Sequence, residues 1–404
     1  LDLKRILADN RFGNTATRIN IDGELPKSRQ LKDAMIKAQG IISQFTYNSY
    51  IYKNLSIDGI YRRGAFDGKL GMDDPNGKIA INGHIGMTGI PSARLTAEVQ
   101  QLNLSNLNIT NRTQFSFGLT AEISGNSLNT LVGNIYLTGF TMKSPNQDYF
   151  LSTMHLQAGN HPDGHYLTMN SDFGDLGING KFDYRTIVQS VVNLIGSKLP
   201  TLPNLPKITR FDTNDFAINA TINRTDWLRN LFHVPLEMNE PLHIAGTMND
   251  RTNDMNMRVD MPAFTYHGKS YRNGHLHFMT INDSLKVKAR LTTGQEGSKG
   301  VDWNVSAAAA HNHLNTILDF NNHQKQQIKG RFDTDTQFFT NEQGLSAAHV
   351  NVHPSEIWIG DTIWNVNPSD IIYSKNRLTI DHFAIEHNKQ HIRKWWQTDF
   401  DSIT

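Results

Sequence analysis

The sequence predicts an all-β protein, a long, twisted and repetitive β-sheet curled into an open groove, with a few short helices. Apolar and polar residues alternate with a period of two in many short segments, as in strands that bury one face. Clusters such as "DDPNG" and "NRTD" separate these segments, and their residues favour turns. Helical periodicity is limited to three short stretches, too few to cover so much sheet.

The alternating segments place apolar side chains on one face of each predicted strand. Their turn-bounded spacing continues from the N-terminal half to the C-terminal end, which favours many successive strands. Methionine in such a stripe adapts to varied apolar partners. The candidate groove-facing residues are Phe115, Phe117 and Leu119 in "QFSFGLTAEI", Phe216, Ile218 and Ile222 in "DFAINATI", Met255, Met257, Val259 and Met261 in "DMNMRVDMPAF", and Leu285, Val287 and Leu291 in "SLKVKARL".

Three segments predict short helices. "RQLKDAMIKAQG" predicts one ending at Gly40, and "RTDWLRNLF" predicts another, capped by Thr225 or Asp226. "YRTIVQSVVNLIGSKLP" predicts the third. We expect this third helix, over residues 184–199, to cap the apolar surface, because its apolar face has no helical partner in the sequence.

The chain is interpreted as a single elongated groove fragment over residues 1–404. The helix and the following "LPTLPNLP" make residues 183–208 a sub-boundary. Trp395 and Trp396 do not follow the strand pattern, so residues 394–404 are expected to be an atypical tail. A sheet with one apolar face can also fold over as a sandwich or close as a barrel, and both alternatives remain open.

Composition excludes several classes of function. The chain has 404 residues, 39 of them basic and 38 acidic, so its formal net charge of +1 gives no strong attraction to nucleic acid. Without cysteine it has no disulfides and no thiolate catalysis, which suits an oxidising compartment such as the periplasm. Since "LDLKRILADN" lacks an initiator methionine and a signal-peptide core, we expect a soluble piece of a longer protein.

Motifs for catalysis or metal binding are weak. "MDDPNGK" lacks the spacing of a calcium loop and predicts a turn between strands. His275 with His277, and His311 with His313, are spaced to share a strand face, but no third metal ligand is marked. There is no G-x-S-x-G elbow, P-loop or H-E-x-x-H. We therefore expect no enzyme activity, no catalytic residue, no metal and no cofactor.

Four longer strings resemble a known family. They are "RRGAFDGKLGMDDPNGKIAINGHI", "INGKFDYRTIVQSVVNLIGSKLPTLP", "DMNMRVDMPAFTYHGKSYRNGHL" and "VHPSEIWIGDTIWNVNPSDIIYSKNRLTIDHFAIEHNKQHI". Together they resemble the Bacteroidota form of the TamB family, the translocation and assembly module subunits related to AsmA-like bridge proteins. The resemblance covers roughly residues 50–393, an interior portion of such a protein, and "SEIWIGDTIWNV" is its most distinctive string.

The resemblance implies a function. TamB-like proteins are anchored in the inner membrane, cross the periplasm as a β-taco-like groove, and pair with an outer-membrane barrel called TamA. The groove is thought to conduct phospholipid acyl chains between the two membranes, in which case the candidate residues above face lipid tails. The family's membrane anchor and barrel-binding domain would lie outside this chain, so membrane contact and the TamA-like partner belong to the missing termini.

Other functions remain open beside this one. A structural or adhesive β-repeat protein would show the same alternation with a filled interior, and an outer-membrane protein assembly factor of chaperone type would share the family. A carbohydrate-active β-enzyme would need two carboxyl groups within about 10 Å of each other across a cleft.

Overall fold

The computed structural model describes residues 4, 9–24, 33–109, 113–144, 148–209, 213–226, 234–374 and 377–399. The elements whose bounds are given below are antiparallel strands, one α-helix and one short 3₁₀ turn. The predicted all-β class and the repetitive antiparallel sheet are therefore confirmed. The chain divides into two compact units, Leu1–Gly177 and Ile178–Thr404.

The first unit is an antiparallel meander in which each strand pairs with the next one along the chain. A 3₁₀ turn, Leu128–Thr130, precedes its eighth strand. The strands are β1 (Phe12–Glu24), β2 (Met35–Tyr47), β3 (Tyr50–Arg62), β4 (Ala65–Asp74), β5 (Gly77–Gly86), β6 (Ser92–Asn103), β7 (Gln114–Ser124), β8 (Val132–Lys143), β9 (Asp148–His161) and β10 (Gly164–Ser171), and β11 (Gly174–Lys181) runs across the boundary.

The second unit begins with helix α1 (Ile187–Lys198), which confirms the helix predicted from "YRTIVQSVVNLIGSKLP". Its strands continue the antiparallel pattern. They are β12 (Asp215–Ile222), β13 (Leu236–Met238), β14 (Leu242–Asn249), β15 (Asp254–Tyr266), β16 (Lys269–Ile281), β17 (Ser284–Thr293), β18 (Asp302–Ala310), β19 (His313–Asn321), β20 (Ile328–Thr340), β21 (Ser346–Val352), β22 (Ser355–Ile359), β23 (Thr362–Val366), β24 (Ser369–Ser374), β25 (Arg377–His387) and β26 (Gln390–Asp399).

The sheet of the second unit branches at β20 and closes on itself. One part of β20 pairs with β21 and another part of the same strand pairs with β22. The β21 branch continues through β24 to β25, and the β22 branch continues through β23 to β25 as well. The six strands β20, β21, β24, β25, β23 and β22 therefore form a closed ring. Its centre is filled by Val352, Ile357 and Val366, which are all buried.

Two predictions about secondary structure are wrong. The segment from Met35 to Gly40, predicted as the end of a helix, lies in β2, where pairing with β1 and β3 provides backbone partners on both sides. These tertiary hydrogen bonds outweigh the local helical propensity of "AMIKAQ". Trp395 and Trp396 were expected to leave the strand pattern, but β26 continues through both and pairs with β25. Residues 400–404 lie outside the described residues.

The helix predicted from "RTDWLRNLF" falls mostly on residues 227–233, which lie outside the described residues. Thr225, one of its two predicted caps, is buried. The Thr225 hydroxyl donates to the carbonyl of Leu236 at 2.9 Å and accepts the N–H of Met238 at 3.1 Å. These bonds hold the start of this segment against β13.

Candidate functional site

An apolar face runs across the strands of the first unit. Residues directly opposite each other in antiparallel strands share a face of the sheet, so the strand register defines rows of side chains. Leu119 lies between Ala97 of β6 and Leu137 of β8, and Phe117 lies opposite Val99. Phe115, Phe117 and Leu119 are half-buried, and the residues opposite them on the neighbouring strands are apolar. The row through Leu119 consists of Ile57, Leu70, Ile81, Ala97, Leu119, Leu137 and Met154.

The opposite face of the first unit is polar. The chain neighbours of the apolar row form a second row on this face, which consists of Asp58, Lys69, Asn82, Thr96, Thr120, Tyr136 and His155. Polar contacts cross neighbouring strands there: an ion pair joins Arg94 to Glu122, and a hydrogen bond of 2.7 Å joins His84 Nδ1 and Asp67 Oδ1. The contrast between the two faces indicates that one is partly shielded from water and the other is solvated.

The loop after β6 closes one end of this apolar face. Leu107 is 1% exposed, and its carbonyl accepts a hydrogen bond from the Tyr52 hydroxyl at 3.2 Å. Asn108 and Asn48 exchange side-chain-to-backbone hydrogen bonds, which tie the loop to the β2–β3 turn. An apolar pocket of about 300 Å³ lies at this end, lined by Phe45, Tyr47, Tyr52, Leu55, Leu70, Gly71, Met72 and Ile79.

The turn between β4 and β5 supports the same end of the unit. Asp74 is buried and accepts hydrogen bonds from the Tyr50 hydroxyl at 2.5 Å, from the backbone N–H of Lys53 at 2.8 Å and from that of Asn76 at 2.9 Å. "MDDPNGK" is therefore a turn between strands, as predicted. Burial, and then the hydrogen bond with Asp74, raise the pKa of Tyr50 above its usual value.

The second unit has an apolar face of the same kind. All ten of its candidate residues lie on this face, because the register links β12 through β14 to β15, and β15 through β16 to β17. Met257, for example, lies opposite Gly246 and Phe278. The row through Met257 consists of Ile218, Gly246, Met257, Phe278, Val287 and Ala307.

Burial divides these ten residues into two groups. Phe216, Met255 and Leu285 are buried and lie in one row, in which Met248 joins the first two, Thr280 links Met255 to Leu285, and the buried Ala309 follows Leu285. The other seven are half-buried, namely Ile218, Ile222, Met257, Val259, Met261, Val287 and Leu291. A face covered by a second protein layer would be fully buried. Most of this apolar surface is therefore only partly covered by the described residues.

Helix α1 accounts for the buried row. The Lys198 ammonium forms an ion pair with Asp283, in the β16–β17 turn, and the Ser190 hydroxyl donates to Asp250, after β14, at 3.0 Å. The N–H of Asn312, before β19, donates to the carbonyl of Lys198 at 2.9 Å. These three turns lie at the same ends of their hairpins, next to the buried row. Helix α1 therefore lies across the ends of three hairpins and caps one side of the apolar face.

A close approach holds the segment after α1 in place. Gly196 is buried in the helix, and an added Cβ would come within 2.4 Å of Ile208 Cδ1. The proline-punctuated segment thus packs back on the helix that precedes it. The Thr201 hydroxyl and N–H both donate to Asn312 Oδ1 at 3.0 Å, which fixes the segment to the β18–β19 turn.

The apolar rows of the second unit end at the ring. Phe320 of β19 and Phe332 of β20 pack against the buried centre formed by Val352, Ile357 and Val366. The part from β12 to β19 is therefore half-covered, and the part from β20 to β25 encloses a packed core. The sequence alternation does not predict this closure. The two strands within "SEIWIGDTIWNV" are short, five residues each, with a Gly-Asp turn between them.

His275 and His277 lie on the polar side of the second unit. His275 contacts Asp260, and His277 Nε2 lies 2.8 Å from Asn256 Oδ1. Burial, followed by repulsion from Arg258, lowers the pKa of His277 below its usual value. The expectation that His311 shares a strand face with His313 is wrong, because His311 lies in the turn before β19 with φ +52°. Within the described ranges, no three potential ligands converge on a metal position.

None of the described helices has the length and hydropathy needed to cross a membrane. Comparison of the chain with protein-family models, with curated proteins and with solved structures found no match.

Proposed function

We propose that this chain is part of a TamB-like bridge whose apolar faces carry phospholipid acyl chains between the inner and outer membranes. The observation that carries this proposal is the set of half-buried apolar rows aligned across successive strands. Neighbouring strands lie about 4.8 Å apart, so a row across six strands extends for about 24 Å. One leaflet of a bilayer core is about 15 Å thick, so such a row is long enough for one lipid tail.

The two faces suit this role. A tail on the apolar rows keeps its methylene groups out of water, while the polar face with its ion pairs remains solvated. Methionine at positions 257 and 261 adapts to a chain without a fixed shape. In this proposal the protein works in the periplasm as part of an inner-membrane-anchored protein. Its TamA-like barrel partner is contacted through other parts of that longer protein, and no enzyme activity is involved.

A photo-crosslinking amino acid tests the proposal in the parent protein in cells. At position 257 or 261 it should capture phospholipid, and at position 256 or 258 it should not, because adjacent strand residues point to opposite faces. Position 255 should capture little, since Met255 is buried beside α1. Equal yields at 256 and 257, measured by mass spectrometry of the adducts, would refute lipid binding on this face.

A second candidate function is supported by the ring. A filled centre is what a structural or adhesive β-repeat protein requires, and Val366 in that centre is fully buried. Extraction of the purified chain followed by lipid mass spectrometry separates the two functions. Co-purified phospholipid supports the bridge, and its absence after isolation in mild detergent supports the structural protein.

A further inference from the structure

The second unit has an open cleft that does not belong to the apolar face. Its volume is about 940 Å³, and it is lined by residues of β18, β19, β20, β22 and β23 around the branch point of the sheet. Lys329 lies opposite Asn321 of β19 and Trp358 of β22. Their neighbours Phe320 and Ile357 pack in the ring core, so these three residues are on the outer face.

Trp358 is the unusual member of this lining. It belongs to "SEIWIGDTIWNV", in which Ile357 and Trp364 serve the ring core. Trp358 is half-buried on the outer face, and the Lys329 ammonium lies 4.9 Å from the centroid of its ring. The Trp358 indole lies neither on the apolar face nor in the packed centre of the ring. Aromatic side chains are common in the walls of ligand sites.

The charged side chains of the cleft keep capacity for hydrogen bonds. The guanidinium Nη1 of Arg331 lies 3.8 Å from Asp319 Oδ1, which is beyond hydrogen-bond length, so neither group saturates the other. Glu356 is exposed and lines the same cleft. Asp302, in contrast, is held by the Thr292 hydroxyl at 2.7 Å and by His323 Nε2 at 2.9 Å.

The chemistry of the lining selects the class of ligand. Four carboxylates, those of Asp302, Asp319, Asp333 and Glu356, outnumber the two permanent cations of the lining, which disfavours phosphate and other polyanions. The described residues bring no three metal ligands together here. A neutral polyhydroxylated ligand fits best, since each hydroxyl both donates and accepts. Carboxylates accept such bonds, the guanidinium donates them, and asparagine does both.

We propose that this cleft binds a neutral oligosaccharide. The indole of Trp358 packs against the C–H face of one sugar ring. Asp319, Arg331 and Glu356 bind its hydroxyl groups. The ligand remains intact, because the proposal is one of binding and requires no bond to break. In the bridge proposed above, such a site would attach the outer face of the sheet to a glycan. Binding of the oligosaccharide itself does not depend on lipid transport by the apolar face.

Isothermal titration calorimetry of the full chain with chitotetraose and maltotetraose tests the proposal. At least one of the two should bind, and Trp358→Ala should weaken that binding about tenfold or more. Asp319→Asn should also weaken it, and Trp358→Phe should retain most of it. Tyr136→Ala is the matched control, because Tyr136 is an exposed aromatic residue on the polar face of the first unit. Circular dichroism establishes that each variant is folded.

Three results would overturn the proposal. The first is that neither oligosaccharide binds at concentrations up to about 10 mM, a range in which even weak binding is detected. The second is that binding occurs but is unchanged in folded Trp358→Ala and Asp319→Asn. The third is that a hyaluronan tetrasaccharide, which is anionic, binds more tightly than either neutral probe. The last result would contradict the argument from charge.

Discussion

Met255 and Met257 share one face of β15 and differ in what covers them. Met255 is 5% exposed and lies opposite the buried Met248, whereas Met257 is half-buried and lies opposite Gly246. We expect Met255→Ala to cost about 2–5 kcal/mol of unfolding free energy, because it leaves a cavity beside α1. Met257→Ala should cost clearly less, because its side chain is already partly exposed. Denaturant titration of both variants measures the difference.

A volume-conserving change provides the control for these two variants. Met255→Leu should cost less than about 1.5 kcal/mol, since the volume and the apolar character are retained. Equal costs for Met255→Ala and Met257→Ala would show that the two positions are packed alike. The division of the apolar face into a capped row and open rows would then be incorrect.

At the scale of elements, the loop after β6 in the first unit and helix α1 in the second unit each close one side of an apolar face. In the first unit, the loop after β6 closes one end of the apolar face through Leu107. We expect Leu107→Ala to cost about 2–5 kcal/mol and to expose the loop to protease. Ile109→Ala in the same loop should cost less than about 0.5 kcal/mol, because Ile109 is exposed. Protease resistance in Leu107→Ala equal to that of the unsubstituted chain would contradict the anchoring role of Leu107.

In the second unit, α1 is held by a charge pair that depends on pH. The hydrogen bond from Lys198 lowers the pKa of Asp283 below its usual value of 3.8. A depressed pKa in the folded state stabilises the protein at pH values above 3.8, and this contribution disappears progressively as the pH falls below it. The side chain of Lys198, only 7% exposed, then has no anion opposite it.

We therefore expect α1 to lose hydrogen-exchange protection at acidic pH before the strands of the same unit do. Asp283→Asn should show the same loss at neutral pH. Asp361→Asn, in the β22–β23 turn, is the control, because Asp361 is exposed and far from α1 in the sequence. Protection factors for α1 that are equal in Asp283→Asn and Asp361→Asn would contradict the role of the pair.

Local patterns predicted the strands well, and non-local pairing explains what they missed. The alternation in "DMNMRVDMPAF" identified β15 and its apolar face, and the apolar spacing around Leu194 identified α1. The prediction of a helix ending at Gly40 was wrong because β1 and β3 supply hydrogen bonds that cannot be seen in the neighbouring sequence. Burial of Met255 but not Met257 was also hidden, since it depends on a helix more than 50 residues away in the chain.

At the scale of the whole molecule, each unit combines a polar outer face with an apolar face that is closed at one side. The strands β20 to β25 of the second unit also form a ring. There the alternating pattern encloses a packed core, whereas elsewhere in the unit it gives an open surface. In β23, Trp364 and Val366 are two residues apart and both pack in the ring core, just as Met255 and Met257 are two residues apart on one face of β15. Period-two alternation alone therefore cannot distinguish an open groove from a closed ring, because strand pairing decides between them.

A charge at each type of site should separate the two kinds of apolar surface. Val366 is 1% exposed in the ring, so Val366→Asp buries an unpaired carboxylate, costs several kcal/mol and lowers protein abundance. Met257→Asp lies on the half-buried face, where water reaches the carboxylate, so the chain should fold and accumulate normally. If the chain is part of the bridge proposed above, however, that charge stands in the path of lipid tails in the longer protein. Met257→Asp should weaken the outer membrane, measured by sensitivity to detergent, at unchanged abundance, and Met257→Leu should behave as the unsubstituted protein. If abundance falls with Met257→Asp as far as with Val366→Asp, the face around Met257 is an ordinary packed core and carries no lipid.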